Sequence, residues 1–128
     1  MSERDNSYLV LVVDDSECHR EILSVFLGVL GYKVVEAADG LEAVKIARST
    51  CPDLIIMDLS MPVMDGYGAV QILRKVPETA AVPILACTAH DISTHKAQAM
   101  SAGFNDVLTK PIDFTNLNVV IDRFLKAA

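Results

Sequence analysis

The chain has 128 residues, 52% of them hydrophobic, and a formal net charge of -6 at pH 7. That length suits one domain able to bury roughly two-thirds of its unfolded surface, and that apolar content excludes a disordered chain. The negative charge repels a phosphate backbone and disfavours direct DNA or RNA binding, whereas an acidic cluster attracts cations.

Cys18, Cys51 and Cys87 are far apart and show no metal-ligand spacing, as expected of free thiols in a reducing cytosol. Met1–Ser7 mixes both charge signs and lacks the basic start of a signal peptide. The uncharged stretch Ile22–Tyr32 is too short to span a bilayer. A cytoplasmic protein with no membrane segment is expected, as a single domain over residues 1–128 with its core at about 8–125.

Tyr8–Val13 (YLVLVV) is a continuous apolar run, as in strands buried on both faces of a parallel sheet. It ends at Asp14-Asp15. A helical pattern follows from about Glu17 to Leu30 and stops at Gly31, a helix C-cap. Lys33–Ala37 (KVVEA) alternates more and suits an edge strand, and a second helix runs from about Gly40 to Arg48. Leu54–Met57 (LIIM) predicts a third strand that ends at Asp58. Asp65-Gly66 opens a third helix, with Asp65 as N-cap and Ala69, Val70, Ile72 and Leu73 as its apolar residues. Val82–Cys87 (VPILAC) leads to Thr88, and a helix from about Ser93 to Ala102 closes at Gly103. Asp106–Thr109 (DVLT) precedes Lys110. After Asp113, Leu117, Val120, Ile121, Phe124 and Leu125 recur at helical spacing.

Five βα units with right-handed crossovers predict an α/β fold, a doubly wound five-stranded parallel sheet with helices on both faces. Ligands of such sheets bind outside the carboxyl ends of the strands, at the switch point. Asp14, Asp15, Asp58, Thr88 and Lys110 are therefore expected to converge on one edge. Taken alone, Asp14, Asp15 or Ser16 reads as a helix cap. Asp58 at another strand end changes the balance, because three adjacent carboxylates repel one another unless a cation neutralises them. Mg²⁺ takes oxygen ligands and keeps several waters, which suits such a set. A carboxylate can also attack an activated phosphorus to give an acyl phosphate. The metal, Lys110 and the Thr88 hydroxyl would offset the charge on the transferred group. Alone, Thr88 would be a strand-end hydroxyl and Lys110 a solvated cation; their shared edge disfavours both readings. His19, His90 and His95 have no ligand spacing with any Cys, and His19 and His95 are expected on exposed helix faces. Met57, Met61 and Met64 read as packing residues. No Gly-rich phosphate loop is present.

LVVDDS at Leu11–Ser16, DLIIMDLSMPVMDG at Asp53–Gly66, ILACTAH at Ile84–His90 and LTKPID at Leu108–Asp113 stand in one order along the chain. Together they resemble bacterial two-component response-regulator receiver domains of the chemotaxis-regulator type, from about Tyr8 to Leu125. The resemblance implies a flavodoxin-like (βα)5 sheet with strand order 2-1-3-4-5. It implies a signalling domain rather than an enzyme, assisting only its own phosphorylation and dephosphorylation. Asp58 would take a phosphoryl group from a sensor histidine kinase or a histidine phosphotransfer protein. Asp14, Asp15, Asp58 and the backbone carbonyl of Ser60 would hold Mg²⁺ (or Mn²⁺). Thr88 would be the switch hydroxyl and Lys110 the lysine that follows the phosphoryl group, with Lys110-Pro111 as a cis peptide bond. Pro62 and Gly66 would shape the loop after the acceptor, and the small Ala89 would leave the site accessible. Ser60 and His90 occupy the two positions that influence acyl-phosphate lifetime. One departure is Val107, where the family often carries Tyr or Phe. The switch is then expected to run through backbone shifts of 88–95 and 107–112, or with reduced amplitude. Output is expected through a downstream protein target or a fused effector, and the helix 4–strand 5–helix 5 face is a candidate homodimer surface. On the first helix, Cys18, Ile22, Val25 and Val29 form a second apolar stripe; Val25 and Val29 are expected to be part-exposed and to pack on a helical-bundle partner.

Three rivals are weaker. A scaffold module that is never phosphorylated would not need Asp14, Asp15, Asp58, Thr88 and Lys110 together. A phosphatase of the haloacid dehalogenase kind would need a second Asp where Ser60 stands. A flavodoxin-like electron carrier would need a phosphate-binding loop and flanking aromatics.

Overall fold

In the computed structural model, which describes residues 8–59, 65–88 and 92–125 (92–95 by backbone alone), strands and helices alternate along the chain. The strands are β1 (Leu9–Val13), β2 (Lys33–Ala37), β3 (Leu54–Asp58), β4 (Ile84–Thr88) and β5 (Asp106–Thr109). The helices are α1 (Glu17–Val29), α2 (Gly40–Thr50), α3 (Gly66–Lys75), α4 (Ile92–Ala102) and α5 (Phe114–Leu125). The sheet is parallel throughout, in the order β2-β1-β3-β4-β5. Ser60, Met61, Pro62, Met64, Ala89 and His90, and the side chain of His95, lie outside the described residues. Among the described residues no helix is long and apolar enough to cross a membrane.

The alternation of side chains along each strand divides the core between the two faces of the sheet. Val10, Val12, Ile56, Cys87 and Leu108 point to one face, where Leu23 and Leu27 of α1 and Leu117, Val120 and Ile121 of α5 cover them. Leu11, Val13, Ile55, Met57 and Ala86 point to the other, under Val44 of α2, Val70 and Leu73 of α3 and Ala99 of α4. β2 is an edge strand with mixed burial, which accounts for its alternating sequence. Ile72 is exposed, because the buried side of α3 is set by Ala69, Val70 and Leu73.

Several boundaries differ from the sequence pattern for local reasons. β4 begins at Ile84 rather than Val82, because Pro83 has no N–H for the ladder. The Pro83 carbonyl still accepts from the Ile55 N–H at 3.0 Å. α2 runs past Arg48 to Thr50, with the Ser49 and Thr50 hydroxyls donating to the Ile46 carbonyl at 3.1 and 2.7 Å. α1 closes at Gly31 as its sequence predicts. Gly31 has φ 97, and Tyr32 N–H donates to the Leu27 carbonyl at 3.1 Å while Gly31 N–H donates to that of Gly28 at 3.0 Å. This is a Schellman closure, which needs a left-handed residue at that point.

Arg74, at the end of α3, ties together two connections at the far end of the sheet. Its guanidinium donates to the carbonyls of Val82 (2.6 Å), Ala80 (3.1 Å) and Gly103 (2.8 and 3.0 Å) and to Asn105 Oδ1 (2.7 Å). Burial lowers its pKa from the usual arginine value.

Candidate functional site

The strand register delivers the polar residues to one edge. Val13 lies beside Met57, Asp58 beside Cys87, and Thr88 beside Thr109. Asp14 and Lys110, one residue past β1 and β5, therefore flank Asp58 and Thr88. The chain leaves β1 toward β2 on one side, while β3 lies on the other, so the acids stand at the switch point.

Local structure settles which residue caps α1. The Ser16 side chain accepts from His19 N–H at 3.3 Å, and Asp14 Oδ1 accepts from Ser16 N–H at 2.9 Å. The cap is thus Ser16, and Asp15 projects at the surface. Asp14 and Asp58 are buried, at 3% and 6% exposure. One carboxylate oxygen from each of Asp14, Asp15 and Asp58 lies within 4.8 Å of the others. Lys110 Nζ donates to Asp14 Oδ2 at 3.1 Å and Asp58 Oδ2 at 3.0 Å. Burial alone would lower the Lys110 pKa; the hydrogen bonds it donates to Asp58 and Asp14, and their charges, override that and raise the value above the lysine norm. One ammonium against three carboxylates leaves the cluster net negative. An all-oxygen set with one exposed member fits a hard divalent cation that keeps water ligands.

Two residues that support the site were not read from the sequence. Arg20 donates to the Asp14 carbonyl at 2.7 Å and pairs with Glu36 at 3.2 Å, fixing the end of β1. His19 is exposed as expected, yet its Nδ1 lies 3.7 Å from Asp14 Oδ2. The signal was its position three residues after the cap. Side chains on a helix lean toward its N-terminus, which here is the acidic edge.

Thr88 is buried, and Lys110 N–H donates to its carbonyl at 2.7 Å. The Lys110-Pro111 bond is cis. Val107 is buried among Ala86, Ala99 and Phe104. The rings on this face come from elsewhere, with Tyr67 of α3 edge-on to Phe104 at 6.1 Å. Asp65 caps α3, accepting from Gly68 N–H at 2.9 Å. Gly66 lies so close to β3 that a Cβ there would sit 2.6 Å from the Asp58 carbonyl oxygen.

A cavity of about 260 Å³ opens beside the acids, lined by His19, Ile22, Leu23, Cys87, Ile112 and Phe114 among others. Burial pushes the Cys87 thiol up to about 12; nearby Lys110 pulls it down, and Asp58 and Asp14 push it up. The folded chain keeps this thiol neutral after the unfolded chain has ionised it, so stability falls as pH rises through the ordinary thiol range. Denaturant melts should lose about 1 kcal/mol between pH 8 and 10, a loss absent from Cys87→Ala. An equal loss in the variant would contradict this origin.

The chain matches the family model "Response regulator receiver domain" over residues 10–122. It is 36% identical over 116 residues to protein PilH of Pseudomonas aeruginosa, covering 91% of this chain and 96% of that one. It spans about half the length, 48%, of curated transcriptional regulators that it matches at 38% identity. The receiver domain of the sensor histidine kinase PA1611 of Pseudomonas aeruginosa PAO1, solved with a magnesium ion coordinated in its active site cleft, superposes with a TM-score of 0.87. The two are 33% identical, covering 94% of this chain and 99% of that one. The receiver domain of Ssk1 from Saccharomyces cerevisiae, crystallised with the histidine phosphotransfer signalling protein Ypd1, superposes at 0.85 with 32% identity, covering 94% and 90%. With the acid edge, the strand order and these matches together, the chain belongs to the response regulator receiver domain family of two-component signalling.

Proposed function

We propose that Asp58 accepts the phosphoryl group, and that Asp14, Asp15, Asp58 and the backbone carbonyl of Ser60 hold Mg²⁺ (or Mn²⁺) beside it. The observation that carries this is the Lys110 ammonium bridging two buried carboxylates at the ends of different strands, with exposed Asp15 within reach. An Asp58 oxygen attacks phosphorus, the bond from phosphorus to the donor breaks, and an acyl phosphate forms. When bound, the metal supplies positive charge against the phosphoryl oxygens. Lys110 exchanges a carboxylate for a phosphoryl oxygen, and the Thr88 hydroxyl turns toward the same group. Phosphorylation adds about -1.5 to -2 charges at one point, and the population shifts toward whichever arrangement of α4, β5 and α5 these contacts favour. With Val107 in place of a ring, backbone shifts in 88–95 and 107–112 carry that change; Ala89 gives access, and Ser60 and His90 set the lifetime of the acyl phosphate.

The test is intact mass after incubation with acetyl phosphate and Mg²⁺. One phosphoryl group should be gained by the native chain and none by Asp58→Asn. No gain, as a scaffold module would give, or a gain that survives Asp58→Asn, overturns the assignment.

Residues 8–125 act as one receiver unit that accepts phosphoryl groups and does not turn over other substrates. The donor is a sensor histidine kinase or a phosphotransfer protein. Its docking surface is the outer stripe of α1, where Ile22, Val25 and Val29 are 49%, 62% and 80% exposed. Val25→Asp with Val29→Asp should slow transfer from the cognate phosphohistidine at least about tenfold while acetyl phosphate uptake stays unchanged, since about 1.4 kcal/mol of lost docking suffices. Unaltered transfer would remove α1 from the interface. Output passes to a downstream protein or a fused effector through α4, β5 and α5, which Asp106 links by pairing with Lys96 (3.9 Å) and Arg123 (3.4 Å). The same face is the candidate homodimer surface.

A further inference from the structure

We propose that Arg20, held in place by Glu36, is a positioning residue that sets the angle between Asp14 and Asp15 and so the affinity of the acceptor site for Mg²⁺. The inference rests on the metal reading above and adds a support to it. Successive side chains of a strand point to opposite faces, so two adjacent acids on an extended chain point away from any common cation. β1 ends at Val13 and the chain bends at Asp15, which brings one oxygen from each of Asp14 and Asp15 within 4.8 Å of the other and of Asp58. The planar peptide that joins the two acids carries the Asp14 carbonyl, so whatever holds that oxygen holds the turn between them. Arg20 Nη1 donates to it at 2.7 Å.

The guanidinium is itself held. Its Nε donates to Glu36 Oε1 at 3.2 Å, and the Ser24 hydroxyl donates to Glu36 Oε2 at 2.9 Å. Glu36 stands beside Val12 in the ladder between β1 and β2, so the turn is tied to α1 and to the neighbouring strand at once. The Arg20 side chain is only 16% exposed, which leaves water little access to its bonds. In the resting chain Lys110 also grips the Asp14 carboxylate, at 3.1 Å. Once Lys110 turns to a phosphoryl oxygen, that hold is gone. Asp14 then keeps the Ser16 N–H on Oδ1, the Ala37 carbonyl on its N–H and Arg20 on its carbonyl. Groups that orient metal ligands from behind commonly change affinity about tenfold or more when removed.

The experiment measures Mg²⁺ binding to the full chain by calorimetry, with phosphorylation by acetyl phosphate followed by intact mass. Arg20→Ala should weaken Mg²⁺ binding about tenfold, while phosphorylation at saturating Mg²⁺ stays within about twofold of the native rate. Arg20→Lys should show most of the same loss, because one ammonium cannot reproduce the fork that spans Glu36 and the carbonyl. It carries the comparison should Arg20→Ala fail to fold. Arg74→Ala loosens the far end of the sheet and should leave Mg²⁺ affinity unchanged. Native affinity in the Arg20 variants, an equal loss in Arg74→Ala, or a phosphorylation defect that saturating Mg²⁺ does not repair overturns the positioning role and leaves the acidic site standing. No Mg²⁺ binding by the native chain, or binding indifferent to Asp15→Asn, overturns the metal reading itself.

Discussion

Lys110→Ala should destabilise the metal-free chain by about 3 kcal/mol, and added Mg²⁺ should restore most of that loss. The ammonium is the shared partner of two buried carboxylates, at 3.1 and 3.0 Å. Removing one partner from a buried pair typically costs about 3–5 kcal/mol, and the Lys110 side chain is 20% exposed, which argues for the low end. The variant also frees both acids for a cation. At about a hundred times its dissociation constant, a ligand of the folded state adds about 2.7 kcal/mol. Urea midpoints in chelator and in Mg²⁺ would measure both effects. The Lys110 pKa is raised on folding, so its contribution is complete below the ordinary lysine range and fades only as pH climbs through the raised value. The cost of the substitution should therefore be the same at pH 6 and pH 9. A variant as stable as the native chain in chelator would show that the three carboxylates do not need the ammonium.

Arg74→Ala should cost a similar amount, about 3 kcal/mol, by a different route. Among the described residues no opposite charge is involved; the guanidinium donates to the half-buried carbonyls of Val82 and Gly103 and to the exposed one of Ala80. Hydrogen bonds to a charged donor are each worth about 1.5–3 kcal/mol, and stranding several acceptors together exceeds the loss of one bond. Arg74→Lys should recover little, because a single ammonium cannot reproduce a planar fork of donors. Hydrogen exchange should quicken in 79–82 and 103–105 and leave β1 and β3 unchanged. A loss below about 0.5 kcal/mol, the range of ordinary surface changes, would make the clasp incidental.

Much of this architecture was legible because parallel strands buried on both faces leave continuous apolar runs. YLVLVV and LIIM could be read as β1 and β3, and the acids after them as a site, before any coordinate was known. Strand order and the cis bond at Lys110-Pro111 came from family resemblance, and both are present. Periodicity misplaced the start of β4 because it ignores the missing N–H of Pro83. Arg74 was invisible because its partners are backbone carbonyls, which carry no sequence signature. His19 is exposed as its sequence position implies, and its approach to Asp14 at 3.7 Å left no sequence signature because it runs around the turn of a helix start.

The contact between Gly66 and the end of β3 also bears on how this lineage can vary. Leu59 and Gly66 are joined by a hydrogen bond of 3.2 Å, and the Asp58 carbonyl stands where a Cβ at position 66 would go. Every codon change that alters this glycine adds that atom, so position 66 has no neutral mutational neighbour. Gradual change at position 66 thus meets the backbone of the acceptor residue itself, so the end of β3 and the start of α3 can vary only together.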